Sequence, residues 1–264
     1  ARDPVTSELT TSWRLILDDA ADGAWNMAID RAILGAHGAG DVPPTLRLYR
    51  WSRPTVSLGK FQQVADVDVE YCAARGIGLC RRPTGGRGVL HDDELTYSVV
   101  AGTRDGLPRS VSASYRMLCG ALVEAYRAMG VAAELTSRSR GPRNAGACYL
   151  HATPADLSLG AAKLSGSAQV WAGNSCLQHG SFVVSRDVER EAAVFRLDAD
   201  ATEALAGTTR TIAEATGGPP RPGAMVEAVC SGFERTLGIR LEPGAATTTE
   251  LAAAQGYRPD HEVA

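Results

Sequence analysis

The chain has 264 residues, 44% of them hydrophobic and 22% charged, with a formal net charge of −3. A chain near this length buries about three-quarters of its unfolded surface, enough for a sizeable core, and its charge supplies no global basic field for nucleic acid. No apolar run approaches the roughly 20 residues of a membrane span. The opening ARDPVTSELTT has the pattern of neither a signal nor a transit peptide, so the expected setting is the cytoplasm, with no membrane or nucleic-acid partner.

Along the chain, Trp13 to Asp19 alternates as a strand does, and Asp22 caps a helical run in which Trp25, Ala28, Ile29, Ala32 and Ile33 share a face. TLRLYRW and TVSLGK are two β-prone runs that suggest a hairpin-like pair around Ser52, Arg53 and Pro54. Asp68 to Arg75 fits one or two helical turns. LCRR then fits a strand ending at PTGGRG, and VLHDDELTYSVVAG resumes strand character with Leu95, Tyr97 and Val99 on one face. Ser110 to Gly130 is the clearest long helix, its glycine placed to end it.

The polar stretch 137–147 suggests an exposed loop delivering Cys148, followed by strands over Asp156 to Leu159, Lys163 to Val170 and Cys176 to Val184. The last third is Ala-rich and mostly helical, with Arg221 to Gly238 expected as an amphipathic helix carrying Pro222 in its first turn. Strands mixed with segregated helices, without regular βαβ alternation, predict an α+β architecture with mixed, mainly antiparallel sheets. One domain over 1–264 is expected, with 239–264 a short C-terminal extension rather than an independent domain.

Six cysteines, Cys72, Cys80, Cys119, Cys148, Cys176 and Cys230, are too scattered for a disulfide framework. Two Cys-x-x-His pairs, Cys148 with His151 and Cys176 with His179, have a spacing seen in zinc sites. In extended segments, however, residues three apart point to opposite faces, so no metal is expected. Cys148 and Lys163 offer other chemistry: an ammonium group near a thiol favours the thiolate, the attacking species in acyl transfer.

RRPTGGRG, Arg81 to Gly88, is a glycine-rich turn with clustered cations. Its backbone can approach a ligand closely, and it fits a tight hairpin loop with solvated arginines as well. It lacks the Gly-Lys-Ser/Thr ending of a phosphate-binding P-loop, and the chain has no Gly-x-Ser-x-Gly nucleophile elbow. His179 in LQHGS is open to reading as a base, an orienting group or a satisfied structural residue.

RRPTGGRGVLHDDELTYSVV, then KLSGSAQ, then LQHGS resembles, in that order, the catalytic domain shared by lipoate-protein ligases, octanoyltransferases and biotin-protein ligases. The likeness covers about Trp13 to Gly238. GGRG does not match the Gly-Arg-Gly-Arg type loop of the biotin branch. ACYLHATPADL before AAKLSGSAQ is similar to the cysteine setting of the LipM-type octanoyltransferases, with Tyr149 where phenylalanine is commoner.

The resemblance implies Cys148 as nucleophile and Lys163 as its activator. It also implies a tunnel for a medium-chain acyl group, with Arg82, Gly85, Gly86 and His91 on one wall and Ser165, Gly166, Ala168 and His179 on the other. It implies no cofactor, octanoyl-acyl carrier protein as donor, and as acceptor a lysine of a lipoyl-accepting protein: glycine cleavage H protein or a dehydrogenase lipoyl domain. The alternatives are an ATP-dependent lipoate-protein ligase and a non-catalytic subunit that binds lipoyl domains.

Overall fold

The computed structural model describes residues 11–135 and 156–263; the expected loop at 137–147 and Cys148 lie outside them. Strand β1 (Thr11–Leu17) leads to helix α1 (Gly23–Ala39), whose first turn is capped by Asp22, 2.9 Å from the Trp25 amide. Strands β2 (Thr45–Tyr49) and β3 (Thr55–Leu58) follow, then α2 (Val69–Ala74), β4 (Gly78–Arg81), β5 (Val89–His91), β6 (Glu94–Gly102) and α3 (Val111–Ala128). After β7 (Glu134–Leu135) come β8 (Leu157–Leu159), β9 (Ala162–Ser165), β10 (Ser167–Ala172) and β11 (Ser175–Val183). The remainder is α4 (Val188–Phe195), α5 (Ala199–Thr208), α6 (Ile212–Thr216), α7 (Ala224–Leu237), β12 (Ile239–Gly244) and α8 (Thr248–His261).

The architecture is α+β. A six-stranded sheet in the order β10-β11-β6-β2-β1-β12 is flanked by two three-stranded sheets, β4-β3-β5 and β7-β8-β9. In the main sheet β10, β11, β6 and β2 pair antiparallel, and β1 pairs parallel with both β2 and β12. Strand alternation sorts the side chains. Leu46, Leu48, Leu95, Tyr97, Val99 and Phe182 pack with Leu118, Leu122 and Tyr126 of α3 and with Val229 and Phe233 of α7 in the largest core. On the opposite face Ile16, Val100 and Leu177 pack with Ala28, Ile29, Ala32 and Ile33 of α1, and with Ala254 of α8.

Three expectations need correction. TLRLYRW and TVSLGK are not a hairpin: β2 enters the main sheet, while β3 pairs with β4 and β5. The chain turns away between them because Trp51 bridges to Ala21 and the Ser52 amide donates to the Ala21 carbonyl. Lys163 to Val170 is two strands in different sheets, divided at Gly166, whose carbonyl occupies the space that a Cβ on Gly180 would need. Helix α7 starts after Pro222, because Gly223 takes the left-handed conformation at φ 81° and interrupts the helix path.

Near the C-terminus, β12 adds a parallel edge to β1, and α8 is pinned to β1 by a two-point ion pair in which Arg14 donates to both Glu250 oxygens at 2.8 and 2.6 Å. Among the described residues no helix is long and apolar enough to cross a membrane.

Helices α3 and α7 approach closely at Gly232, where an added Cβ would lie 2.5 Å from the Ala121 carbonyl oxygen and 2.9 Å from the Ala125 nitrogen. Both obstacles are backbone and cannot rotate aside. Helix propensity alone would make Gly232→Ala stabilising by about 1 kcal/mol, but the forced separation of the helices is worth about 1 to 3 kcal/mol in the other direction. Urea unfolding is therefore expected to show a destabilised Gly232→Ala protein, and a stabilised one would refute the close-contact account.

Candidate functional site

The site is built on a buried carboxylate. Asp30 lies in the middle of α1 and is fully buried, where burial alone would raise its pKa; the hydrogen bond from His179 and the charge of Arg47 outweigh that, so it is held below its ordinary value. Its oxygens accept from Arg47 Nη1 at 2.9 Å, Ser98 Oγ at 2.7 Å, the Tyr49 hydroxyl at 3.1 Å and His179 Nδ1 at 3.2 Å. Alternation in β2 puts Arg47 and Tyr49 on the same face, both turned towards α1.

A carboxylate only accepts, so the His179 hydrogen sits on Nδ1 and leaves Nε2 to accept from the Thr84 hydroxyl at 2.7 Å. Burial pushes the His179 pKa down, against the pull of Asp30, and keeps the ring neutral. This bond ties the PTGGRG loop to β11. A parallel arrangement surrounds Glu94: His91 Nδ1 donates to it at 2.8 Å, while His91 Nε2 meets the Ser57 hydroxyl at 2.8 Å. Burial tends to raise the Glu94 pKa, but His91 and the hydroxyls of Ser181 and Thr96 bring it below its ordinary value. Trp51 stacks on His91 with ring centroids 4.0 Å apart.

Arg82 is 5% exposed, so the picture of a loop with solvated arginines does not hold for it. Its guanidinium donates to the carbonyls of Gly85, Arg87 and Ser57 and so shapes the loop from within. Gly86 adopts φ 95°, and the backbone of Gly59 touches its carbonyl so closely that a side chain at Gly59 would not fit.

Between this loop and the main sheet lies a narrow cavity with an open mouth. The structure brings Arg82, Gly86, His91, Gly166, Ala168 and His179 onto its lining. Gly85 and Ser165 stand one residue behind: the Gly85 carbonyl accepts from Arg82, and the Ser165 hydroxyl donates to the Ser181 carbonyl at 2.8 Å. Lys163, 6% exposed, lies on the strand leading to Gly166, with Nζ 3.0 Å from the buried carboxylate of Asp156.

Cys148 lies outside the described residues. The five described cysteines are poor nucleophiles, since burial raises all their pKa values: to about 12 for Cys80, Cys119 and Cys176, to about 11 for Cys230, and upward for Cys72. Cys176 and His179 point to opposite faces of β11, Cys176 into the α3 core and His179 towards Asp30.

Residues 22–234 match the family described as the lipoyl protein ligase A/B catalytic domain. The chain belongs to this family. It is 40% identical over 258 residues to octanoyltransferase LipM of Kyrpidia tusciae, covering 92% of this chain and 94% of that protein. Octanoyltransferase LipM of Symbiobacterium thermophilum is also 40% identical, over 259 residues and 94% of each chain. Among solved structures, a lipoate-protein ligase A bound with ATP superposes with TM-score 0.78 at 26% identity, over 94% of this chain and 95% of the other. A T. acidophilum protein with bound lipoic acid gives TM-score 0.77 at 25% identity, over 93% and 94%.

For a lipoyl-ligase family domain, the sequence motifs identify the two loops at the cavity but not its floor. Met27, Tyr49, Trp51, Ser57, Thr96 and Ser181 also line it. One signal was available: Asn26 and Asp30, four apart, put polar groups beside the apolar stripe of α1, and TLRLY alternates so that Arg47 can answer them.

Three histidines are held neutral by burial, His37, His179 and His261, each with its pKa below the ordinary value. In the unfolded chain they take up protons as pH falls through about 6.5, whereas the folded protein resists until lower pH. Burial raises the pKa of Glu191 and Asp92, which protonate first in the folded state and offset part of this; with three imidazoles against two carboxylates, unfolding free energy is expected to fall between pH 7.5 and pH 5, before the depressed carboxylates Asp30 and Glu94 add their own loss below about pH 4. Urea titrations at those pH values provide the check; a flat or rising profile from 7.5 to 5 would refute the buried imidazoles as the dominant titrating groups.

Proposed function

We propose that the protein is an octanoyltransferase of lipoate biosynthesis that carries the acyl group as a thioester on Cys148. Two observations carry this reading together: the PTGGRG and LSGSAQ segments line one cavity beside the strand bearing Lys163, and the relatives matching nearly the whole chain at 40% identity are octanoyltransferases.

The Lys163 ammonium stabilises the Cys148 thiolate, which attacks the carbonyl of an octanoyl thioester on acyl carrier protein. Backbone N–H groups of the two loops hold the developing oxyanion, a contribution worth a few kcal/mol in such sites. The carrier thiol leaves with a proton, and an octanoyl-enzyme thioester remains. The amine of a lysine on a lipoyl-accepting protein, glycine cleavage H protein or a dehydrogenase lipoyl domain, then attacks to give an amide and restore the thiol. Thioester to amide is downhill, so the reaction needs neither ATP nor metal. The setting is the cytoplasm, and the whole of 1–264 serves as one catalytic domain with 239–264 as its extension.

Incubation with octanoyl-carrier protein, ATP omitted, is expected to add one octanoyl mass to the enzyme, and Cys148→Ser to abolish the adduct. Lys163→Ala should slow acylation by about 100-fold, a typical cost of removing a group that controls a reacting proton. An unchanged acylation rate in Cys148→Ser refutes the nucleophile. Lipoate-dependent ATP turnover would instead place the chain with the ligases, and tight carrier-protein binding without acyl transfer would make it a binding subunit.

A further inference from the structure

We infer that Met27, closed in by Tyr49 and Trp51, is the stop that sets how long an acyl chain the cavity accepts. The ligand, a straight saturated acyl chain, follows from the acyltransferase reading above, on which this step rests; the residue follows from the shape of the cavity.

Strand register gives the cavity its direction. Ser167 faces Gly180, so Gly166 lies beside Ser181; Ser181 in turn faces Thr96, and Thr96 faces Tyr49. All four members of this row, Gly166, Ser181, Thr96 and Tyr49, line the cavity, which therefore runs across the strands. At about 4.8 Å per strand the row spans roughly 14 Å of backbone.

Burial gives the cavity an open end and a closed one. Gly86 is exposed and Gly166, Ser167, Ala168 and Gly180 are half-buried, whereas Met27, Tyr49 and Trp51 are 2%, 1% and 8% exposed. The reacting carbonyl must stay at the open end, next to the strand of Lys163, so the methyl terminus goes in first and meets the closed end. A zigzag of seven C–C bonds, each about 1.5 Å, extends roughly 9 Å, and the far-end side chains occupy the rest.

Only one of the three far-end residues is free of polar commitments. Tyr49 donates to Asp30 and lies under the Arg47 guanidinium at 4.0 Å. Trp51 donates to Thr96 at 2.8 Å and stacks on His91. Met27 sits in an apolar cluster with Tyr49, Trp51 and Cys80, and its side chain is an unbranched, adaptable thioether. Its volume can therefore change without stranding a buried polar group.

Calorimetric binding of free hexanoate, octanoate and dodecanoate to the whole protein tests the stop without requiring any chemistry. Met27→Ala is expected to raise the affinity of dodecanoate relative to octanoate at least tenfold, and Met27→Phe to lower octanoate relative to hexanoate by a similar factor. Should Met27→Ala fail to fold, Met27→Phe decides alone. Ratios unmoved from wild type in variants that keep a cooperative melt would overturn the assignment. A shifted ratio in a protein that forms no octanoyl adduct would keep the stop and remove the transferase, and an adduct with unshifted ratios would do the reverse.

Discussion

The Asp30 carboxylate is the constraint on which the rest of this molecule turns. A lone carboxylate at that depth would be several kcal/mol unfavourable. It is tolerated because Arg47, His179, Tyr49 and Ser98 all point at it. Those four donors come from three neighbouring strands of the main sheet, β2, β6 and β11, so satisfying the charge also fixes α1 against that sheet. The helix cannot rotate or slide without leaving an ion and several polar groups unpaired, each a larger loss than an apolar contact. Met27, one turn before Asp30 on the same helix, is thereby set at the cavity end.

The same network explains how a cavity ringed by polar residue types presents largely apolar walls. His179 is engaged on both nitrogens, by Asp30 and Thr84, and His91 likewise by Glu94 and Ser57. Trp51 and Tyr49 also spend their donors on the protein. With hydrogen bonds directed into the walls, what faces the cavity is largely ring face, methyl and glycine backbone. A hydrocarbon there breaks none of these hydrogen bonds, while each buried methylene contributes about 0.8 kcal/mol. Arg82 follows the same rule, its guanidinium spent on carbonyls of its own loop and of β3.

Much of this was legible in the sequence, for reasons particular to certain residues. Asp22 reads as a cap because its side-chain oxygen stands just before an apolar periodic run, and Asp68 and Ser110, where the next helices are expected to begin, cap them in the structure as well. The glycine loop could be picked out because its composition is abnormal for a strand, whereas LSGSAQ reads locally as strand and is reached through the family resemblance. What was hidden depended on long-range register. Nothing local in TLRLYRWSRPTVSL says that its two halves join different sheets; the decision is made by Ala21, thirty residues before Trp51, through a bridge no pattern encodes. Likewise, Lys163 to Val170 looks like one strand until its partners are known: β9 pairs with β8 and β10 with β11, with Gly166 at the division. The cavity floor was invisible because Met27, Tyr49 and Trp51 are ordinary core residues by type and become a site only through the pairing of β2 with β6.

The superposition with an ATP-bound ligase at TM-score 0.78 shows how little the fold itself decides about the reaction. One scaffold can serve a free acid that must be activated and a thioester that arrives activated already, because both need a pocket closed at one end and a carbonyl held at the other. The difference lies in what waits at the open end. A nucleotide-using enzyme must neutralise a triphosphate there, whereas a transferase needs a single ionised thiol and room for two proteins in turn. In this chain Lys163, on the strand leading to Gly166, is already answered by the Asp156 carboxylate. The carboxylate fixes where the ammonium hydrogens point and offsets most of the charge, so what this pair presents to its surroundings is an oriented set of donors rather than a free cation.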